Sequence, residues 1–152
     1  MRVFLSIIFS FRNEEDVLSE LIRRVNAALS EQQVDYELIF VNDDSNDGSQ
    51  DLLINERAKN PRIKIINMSR RFGVSECVMA GMVYASGDAI VHMDTDLQDP
   101  PEVIPELIAK WQAGADVVYT VRTKRDGENP LKMLLTRMAY RAINAASEID
   151  LP

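Results

Sequence analysis

The sequence is poor in the residues that build disulfides and zinc sites. One cysteine, Cys77, and one histidine, His92, occur among 152 residues. A single cysteine excludes a disulfide within the chain and fits a reducing compartment, and so small a supply of both residues argues against a zinc site. Cys77 is therefore expected to be a small core residue, and His92 to pack within a strand.

Long apolar runs and glycine-rich phosphate loops are also missing. No run approaches the roughly 20 apolar residues that a membrane span needs, and residues 1–11 lack the features of a signal peptide. Neither G-x-G-x-x-G nor G-x-x-x-x-G-K-[ST] occurs, which argues against dinucleotide-binding proteins and P-loop proteins. This stretch of chain is therefore expected to be soluble.

Positive charge is scarce overall but concentrated locally. The net charge of −7 argues against a nucleic-acid-binding protein. Residues 122–141, however, hold six basic side chains and only two acidic ones. Such a basic region indicates an anionic ligand or a membrane surface. Within it, the spacing of apolar residues over 131–147 fits a core helix and a helix at a membrane interface equally well.

Apolar runs alternate regularly with segments of helical periodicity. Strands are predicted at 3–9, 36–41, 64–68, 88–93 and 116–121. Helices are predicted from an N-cap at Asn13 to Leu29, and at 49–59, 73–85, 101–113 (ended by Gly114) and 131–146. The alternation predicts one α/β domain over residues 1–152, with a mostly parallel sheet covered by helices on both faces.

Polar segments follow every predicted strand. They are residues 10–14, 42–48, 69–73, 94–102 and 122–125. The carboxyl ends of parallel strands lie on one edge of the sheet, and ligands of such proteins bind beyond that edge. The sequence therefore predicts a binding site built from these five segments.

Two carboxylates in one of these segments have the spacing of a metal site. Asp94 and Asp96 flank a single residue, so in an extended chain they point to the same side, where they repel each other unless a cation lies between them. Oxygen ligands of this kind suit Mg²⁺ or Mn²⁺, and Gln98 could add an amide oxygen. The same pattern also occurs in acidic surface turns, but the position at a strand end favours a metal.

Other polar residues near the strand ends have separate interpretations. Asp99 and Glu102 are placed to cap the next helix. Asp43 could accept hydrogen bonds from a base or ribose, whereas Asp44 could do so or be a solvated turn residue. Arg122 directly follows a predicted strand, which favours phosphate binding.

Five ordered segments resemble the family 2 glycosyltransferases. They are FRNEE, FVNDDSNDGS, SRRFG, AGMVYASGDAIVHMDTDLQDPPE and VVYTVR. The most similar branch is the polyprenyl-phosphate sugar transferases, such as dolichyl-phosphate mannose synthases and bactoprenol glucosyltransferases. The resemblance implies a Rossmann-like GT-A fold, a UDP- or GDP-sugar donor, a divalent cation and inversion at the anomeric carbon. It also implies a polyprenyl-phosphate acceptor and a membrane surface on the cytoplasmic side for the full-length protein.

The resemblance also implies roles for individual residues. Asp94, Asp96 and Gln98 match the metal and diphosphate site, and Arg122 matches a phosphate-binding arginine. The nucleotide site matches Ser10, Arg12, Glu14 and Asp43. Ser10 stands where the family often has proline, and Arg12 where it often has tyrosine, which leaves the preferred base undetermined.

The resemblance further indicates that the chain is the donor-binding part of a longer protein, because the family continues beyond the equivalent of residue 152. Three alternatives are a family 2 enzyme extending a cell-surface polysaccharide, an aspartyl-nucleophile phosphatase, and a non-catalytic receiver domain of phospho-signalling. The last two carry their acidic motif after the first strand, not the fourth. Whether the protein forms a homo-oligomer stays open.

Overall fold

Four parallel strands form the centre of the molecule. The computed structural model describes residues 3–121. In that range β1 (Val3–Phe11), β2 (Val34–Asn42), β3 (Ile63–Asn67) and β4 (Ala89–Asp94) pair in the order β3-β2-β1-β4. All three pairings are parallel. The predicted parallel sheet is confirmed, with strand ends shifted by at most two residues.

The strand order argues against one of the alternatives, the receiver domain. β1 lies between β2 and β4, as in the 3-2-1-4 order of doubly wound dinucleotide-binding folds. A receiver domain has the order 2-1-3, in which β1 lies between β2 and β3. The observed order therefore does not support the receiver interpretation.

Helices cover both faces of the sheet. They are α1 (Glu15–Leu29), α2 (Ser49–Lys59), α3 (Val74–Tyr84) and α4 (Ile104–Gln112), the last preceded by a 3₁₀ turn, Pro101–Val103. The main core lies under α1, α2 and α4, where Phe9 and Phe40 stack at 4.9 Å between ring centroids. The other face carries α3 over a small apolar cluster formed by Ile8, Ile39, Val41 and Cys77. None of the helices in this range is long and apolar enough to cross a bilayer.

Two of the three predicted helix caps are wrong. Residue Glu14, not Asn13, precedes α1, and the Asn13 side chain instead accepts a hydrogen bond from the Asn46 amide at 2.9 Å. The helical turn after β4 starts at Pro101, so Asp99 is one residue too early to cap it. The predicted stop at Gly114 is confirmed, since this glycine has φ of 106° and donates its N–H to the Trp111 carbonyl at 2.9 Å.

The predicted fifth strand is also wrong. The chain divides after Gly114 into two units, and the described part of the second, residues 115–121, contains neither helix nor strand. Residues 116–121 have the apolar composition of a strand, but a strand forms only where its backbone pairs with a neighbour. The predicted helix at 131–146 and the segment 122–125 lie outside the described residues.

Hydrogen bonds to two carboxylates, one within β2 and one directly after it, hold the ends of α3. Asp43 accepts the N–H groups of Phe72 and Gly73, just before the helix. Glu37 accepts the N–H of Ser86, just after it. The apolar cluster beneath α3 is small, so these polar contacts at both ends fix the position of the helix.

Close packing of α3 on the sheet leads to a prediction for Gly81. A Cβ atom at this buried position would lie 2.5 Å from Cγ2 of Ile8 and 3.3 Å from Cγ2 of Val41. Overpacking costs about 1–3 kcal/mol, whereas the gain in helix propensity is about 0.5–1 kcal/mol. We expect Gly81→Ala to lower the free energy of unfolding by about 1 kcal/mol, measured by urea unfolding followed by circular dichroism.

A double-mutant cycle isolates the cause of this destabilisation. An Ile8→Ala background removes the methyl group at 2.5 Å and leaves the longer contact with Val41, so Gly81→Ala should there cost much less stability. An equal loss in both backgrounds would show that the contact with Ile8 is not responsible.

Candidate functional site

One cavity lies at the carboxyl edge of the sheet, where the sequence predicts a site. Its volume is about 330 Å³. The lining residues are Ser10, Phe11, Arg12, Glu14, Asp43, Val74, Cys77, Asp94, Thr95 and Asp96. Six of the eight predicted site residues are therefore brought together, from the ends of β1, β2 and β4. Gln98 is not among the lining residues, and Arg122 lies outside the described residues.

Strand register explains why Asp94 and Ser10 are neighbours. Ser10 pairs with Val41 on one side and with Asp94 on the other. Asp94 is the last residue of β4, and the chain then bends through Thr95 and Asp96. The Asp96 carboxylate accepts the backbone N–H of Gln98 at 3.0 Å, which closes a tight turn. In the described structure Gln98 thus supports Asp96 through its backbone.

The donor set at Asp94 and Asp96 fits a divalent cation shared with a ligand. Both residues are exposed to the cavity. Within residues 3–121 no group of three or more histidine, cysteine, aspartate or glutamate side chains is placed to enclose an ion. Mg²⁺ is commonly held by one or two carboxylates together with substrate phosphates, not by an all-protein cage. Two carboxylates in an open cavity agree with that mode of binding.

Negative charge accumulates around these carboxylates. The pKa of Glu14, which lines the same cavity, is raised by its partial burial and by repulsion from Asp96 and Asp47. A cation in the cavity would relieve this repulsion.

Asp43 has a role that the sequence does not indicate. It is buried, and its two carboxylate oxygens accept the N–H groups of Phe72 at 2.6 Å and Gly73 at 3.0 Å. Burial alone would raise its pKa, but these hydrogen bonds, the Cys77 thiol and the charge of Arg71 outweigh burial and lower the pKa of Asp43. Asp43 therefore stays ionised and fixes the β3–α3 loop against the cavity.

Ser10 presents an unused hydroxyl to the cavity. The residue is 8% exposed, and its Oγ is the single buried side-chain polar atom without a hydrogen-bond partner in the part of the chain that the structure describes. A buried hydroxyl without a partner costs free energy. A ligand that hydrogen-bonds to Ser10 recovers that free energy.

The rim of the cavity is cross-linked by hydrogen bonds between two loops. Asn13 and Glu14, after β1, donate their N–H groups to the hydroxyls of Ser45 and Ser49 at 3.0 and 2.8 Å. Asn42 accepts the N–H of Ser45 at 2.9 Å. These contacts hold the backbone that carries Arg12 and Glu14 in place.

Sequence reasoning missed several lining residues, and Cys77 is the most informative of them. Its thiol is fully buried, and burial, followed by the nearby charge of Asp43, raises its pKa to about 11. The thiol is therefore protonated at neutral pH and serves as a donor to Asp43. The sequence does contain one indication of this role. Cys77 lies in the first turn of a helix that begins soon after a strand end.

Comparison with known proteins agrees with this geometry. The profile of Glycosyl transferase family 2 matches residues 6–150. An uncharacterized glycosyltransferase of Bacillus subtilis, YkcC, is 46% identical over 147 residues, covering 97% of this chain and 46% of its own length. A bactoprenol glucosyl transferase of Shigella phage SfV is 34% identical over 143 residues, covering 94% of this chain and 47% of its own. The chain thus spans about half the length of the curated relatives it matches.

Solved structures show the same fold. The Pyrobaculum calidifontis mannosyltransferase PcManGT, solved with GDP-Man and Mn²⁺, aligns with a TM-score of 0.67 and 22% identity over 83% of this chain and 37% of that one. The S. aureus protein TarS aligns with a TM-score of 0.62 and 16% identity over 82% of this chain and 40% of that one. These likenesses confirm the predicted GT-A type of α/β fold. With a family profile that spans nearly all of its residues, the chain belongs to glycosyl transferase family 2.

Proposed function

We propose that this chain forms the donor-binding part of a metal-dependent, inverting glycosyltransferase. The enzyme would move a hexose from a UDP- or GDP-sugar to a polyprenyl phosphate. The observation that carries the proposal is the cavity itself, which combines the carboxylates of Asp94 and Asp96 with the unpartnered hydroxyl of Ser10. The names of the related bactoprenol glucosyl transferase and of the GDP-Man and Mn²⁺ complex support it.

Asp94 and Asp96 would hold Mg²⁺ or Mn²⁺ against the donor diphosphate, with Gln98 as a further candidate ligand. The bound ion would offset the charge that develops on the departing nucleotide. Ser10, Arg12 and Glu14 would contact the nucleotide. Arg122, the predicted phosphate-binding arginine, would add a second positive contact.

Asp43 would contribute mainly by holding the cavity wall. Its carboxylate is engaged by the β3–α3 loop, and the oxygens keep spare lone pairs that a base or ribose could use. The nucleotide would thus enter a preformed pocket, which reduces the entropy lost on binding.

The acceptor requires little activation. A phosphate monoester has a second pKa of about 6 and is therefore largely ionised at neutral pH. Such a nucleophile can attack the anomeric carbon without a strong general base. The basic residues of 122–141 would face an anionic acceptor or the membrane surface that holds it.

Calorimetric titration tests the donor half of this proposal. We expect the 152-residue chain to bind a UDP- or GDP-sugar at least tenfold more tightly with Mn²⁺ than with EDTA, because the ion bridges two carboxylates and the diphosphate. ATP, which lacks the diphosphate-linked hexose, and free glucose serve as comparison ligands. Failure of every nucleotide sugar to bind in the presence of Mn²⁺ would contradict the proposal.

An acceptor assay on the full-length enzyme tests the other half. Transfer to a short polyprenyl phosphate, with no transfer to a saccharide primer, is the expected result. Transfer to the primer alone would instead support an enzyme that extends a polysaccharide.

A further inference from the structure

Residues 94–101 contain the candidate metal ligands and form the metal-binding segment. A two-point ion pair joins the end of this segment to α1. The Arg24 guanidinium donates from Nε to Glu102 Oε1 at 2.8 Å and from Nη2 to Oε2 at 2.6 Å. Arg24 lies on α1, and Glu102 lies in the turn Pro101–Val103 that directly follows the segment containing Asp94, Asp96 and Gln98. The segment is therefore fixed at its far end to a helix of the main core.

The conformation of this segment is costly to maintain. Leu97 adopts the left-handed region with φ of 59°, which costs an L-residue about 1–2 kcal/mol. The carboxylates of Asp94 and Asp96 also line one cavity, where their negative charges repel each other. Both effects favour other conformations of the segment before an ion binds.

Anchors at the two ends of the segment oppose these costs. At one end Asp94 belongs to β4 and pairs with Ser10. Beyond it, Leu97 packs against the main core, and Pro101 and Ile104 are buried. The ion pair of Arg24 and Glu102 adds a polar link between this end and α1.

We propose that Arg24 and Glu102 are positioning residues, which hold the segment 94–101 in its metal-binding conformation before the cation arrives. The inference rests on the proposed function, because it assumes that Asp94 and Asp96 bind the ion. It goes beyond that function in assigning a role to two residues that do not line the cavity. Because the segment is already ordered, less of the free energy of ion binding would be used to order it.

The chain provides a matched control on the same helix. Arg23 makes an equally short two-point pair with Glu20, both distances being 2.7 Å. That pair joins residues three apart on α1 and makes no hydrogen bond to the metal-binding segment. The charge of Arg23 is only the smallest of the influences that lower the pKa of Glu102, whereas the hydrogen bond from Arg24 is the largest. Arg23→Gln and Arg24→Gln thus remove the same charge from adjacent positions, and only Arg24→Gln releases the segment.

Two measurements on the 152-residue chain test the proposal. The first is hydrogen exchange of the amides of residues 95–99 without any metal, which we expect to become about threefold faster in Arg24→Gln but not in Arg23→Gln. The second is calorimetric titration of Mn²⁺ in the presence of a saturating nucleotide sugar. There Arg24→Gln should raise the half-saturating Mn²⁺ concentration about threefold, and Arg23→Gln should leave it unchanged. The size of both effects is limited because the pair is partly exposed.

A reversed pair strengthens the test. The double variant Arg24→Glu with Glu102→Arg should recover most of the slow exchange and the Mn²⁺ affinity. High salt should reduce the difference between wild type and Arg24→Gln, because it screens the ion pair.

The outcomes are distinguishable. If wild type binds no Mn²⁺ with any nucleotide sugar, the proposed function fails. If wild type binds the ion but Arg24→Gln and Arg23→Gln behave alike in both measurements, the proposed function stands and the positioning role is overturned. A change in exchange without a change in Mn²⁺ affinity would also overturn it, since the pair would then be structural only.

Discussion

Asp96→Asn is expected to weaken Mn²⁺-dependent binding of the nucleotide sugar by at least about tenfold. Asparagine retains the Oδ1 atom that accepts the N–H of Gln98, so the turn after β4 should persist. The substitution removes one of two carboxylates from the cation and also removes the repulsion of Glu14. Affinity should therefore fall without a loss of thermal stability, as measured by calorimetry and thermal unfolding.

Asp44→Asn is the matched control for this experiment. Asp44 also follows a strand at the same edge, but it does not line the cavity. It adopts a left-handed conformation with φ of 60°, which asparagine accommodates readily. We expect a change in affinity of less than about threefold from the loss of one charge that does not line the cavity. Equal losses in the two variants would show that overall charge, not a ligand at Asp96, controls binding.

The place of the site was predictable from sequence because it depends on topology. In a parallel sheet the carboxyl ends of the strands share one edge, so the order of strands and helices alone places Ser10, Asp43 and Asp94 together. The resemblance added the roles of these residues. Neither argument required knowledge of side-chain contacts.

The contacts that fix the site were not predictable, because they join residues far apart in sequence. Asp43 and Phe72 are 29 positions apart, and Arg24 and Glu102 are 78 apart. No local pattern encodes such pairs. Asn13 illustrates the same limit. Asparagine is a common N-cap residue, but the side chain of Asn13 instead accepts a hydrogen bond from the backbone N–H of Asn46 on another loop.

Glu37 is an intermediate case. The sequence shows that this residue is unusual but does not identify its partners. A glutamate within the apolar run YELIFV is unusual, since charged side chains are rarely buried without partners. The structure supplies the reason. Glu37 is buried and accepts hydrogen bonds from the Ser6 hydroxyl at 2.6 Å and the Ser86 amide at 2.8 Å, with Lys64 paired at 2.5 Å.

We expect Glu37→Gln to lower the free energy of unfolding by about 2–3 kcal/mol at pH 7. Glutamine has the same shape, but it presents an uncharged group to Lys64 and so removes the ion pair. Lys64 is partly exposed and can turn towards water, which keeps the loss below that of a fully enclosed pair. Urea unfolding followed by circular dichroism measures the difference.

The pH dependence of this difference follows from the pKa of Glu37. Burial raises that pKa, but hydrogen bonds from Lys64, Ser6 and Ser86 outweigh burial and lower it below the ordinary value of 4.5. A carboxyl with a lowered pKa in the folded state stabilises the fold fully above its unfolded value, and this contribution is lost as the pH falls through the folded value. The stability gap between wild type and Glu37→Gln should therefore be constant above about pH 5.5 and shrink below pH 4.5.

Glu106→Gln is the control that shows how much stability is lost when an ordinary surface carboxylate is replaced. Glu106 pairs with Lys110 at 3.0 Å on α4, and both side chains are exposed. Its replacement should cost no more than about 0.5 kcal/mol. Equal destabilisation by the two variants would mean that Glu37 does not hold the α3–β4 junction. A larger loss for Glu37→Gln, confined to pH values at which Glu37 is ionised, is the result that the buried contacts require.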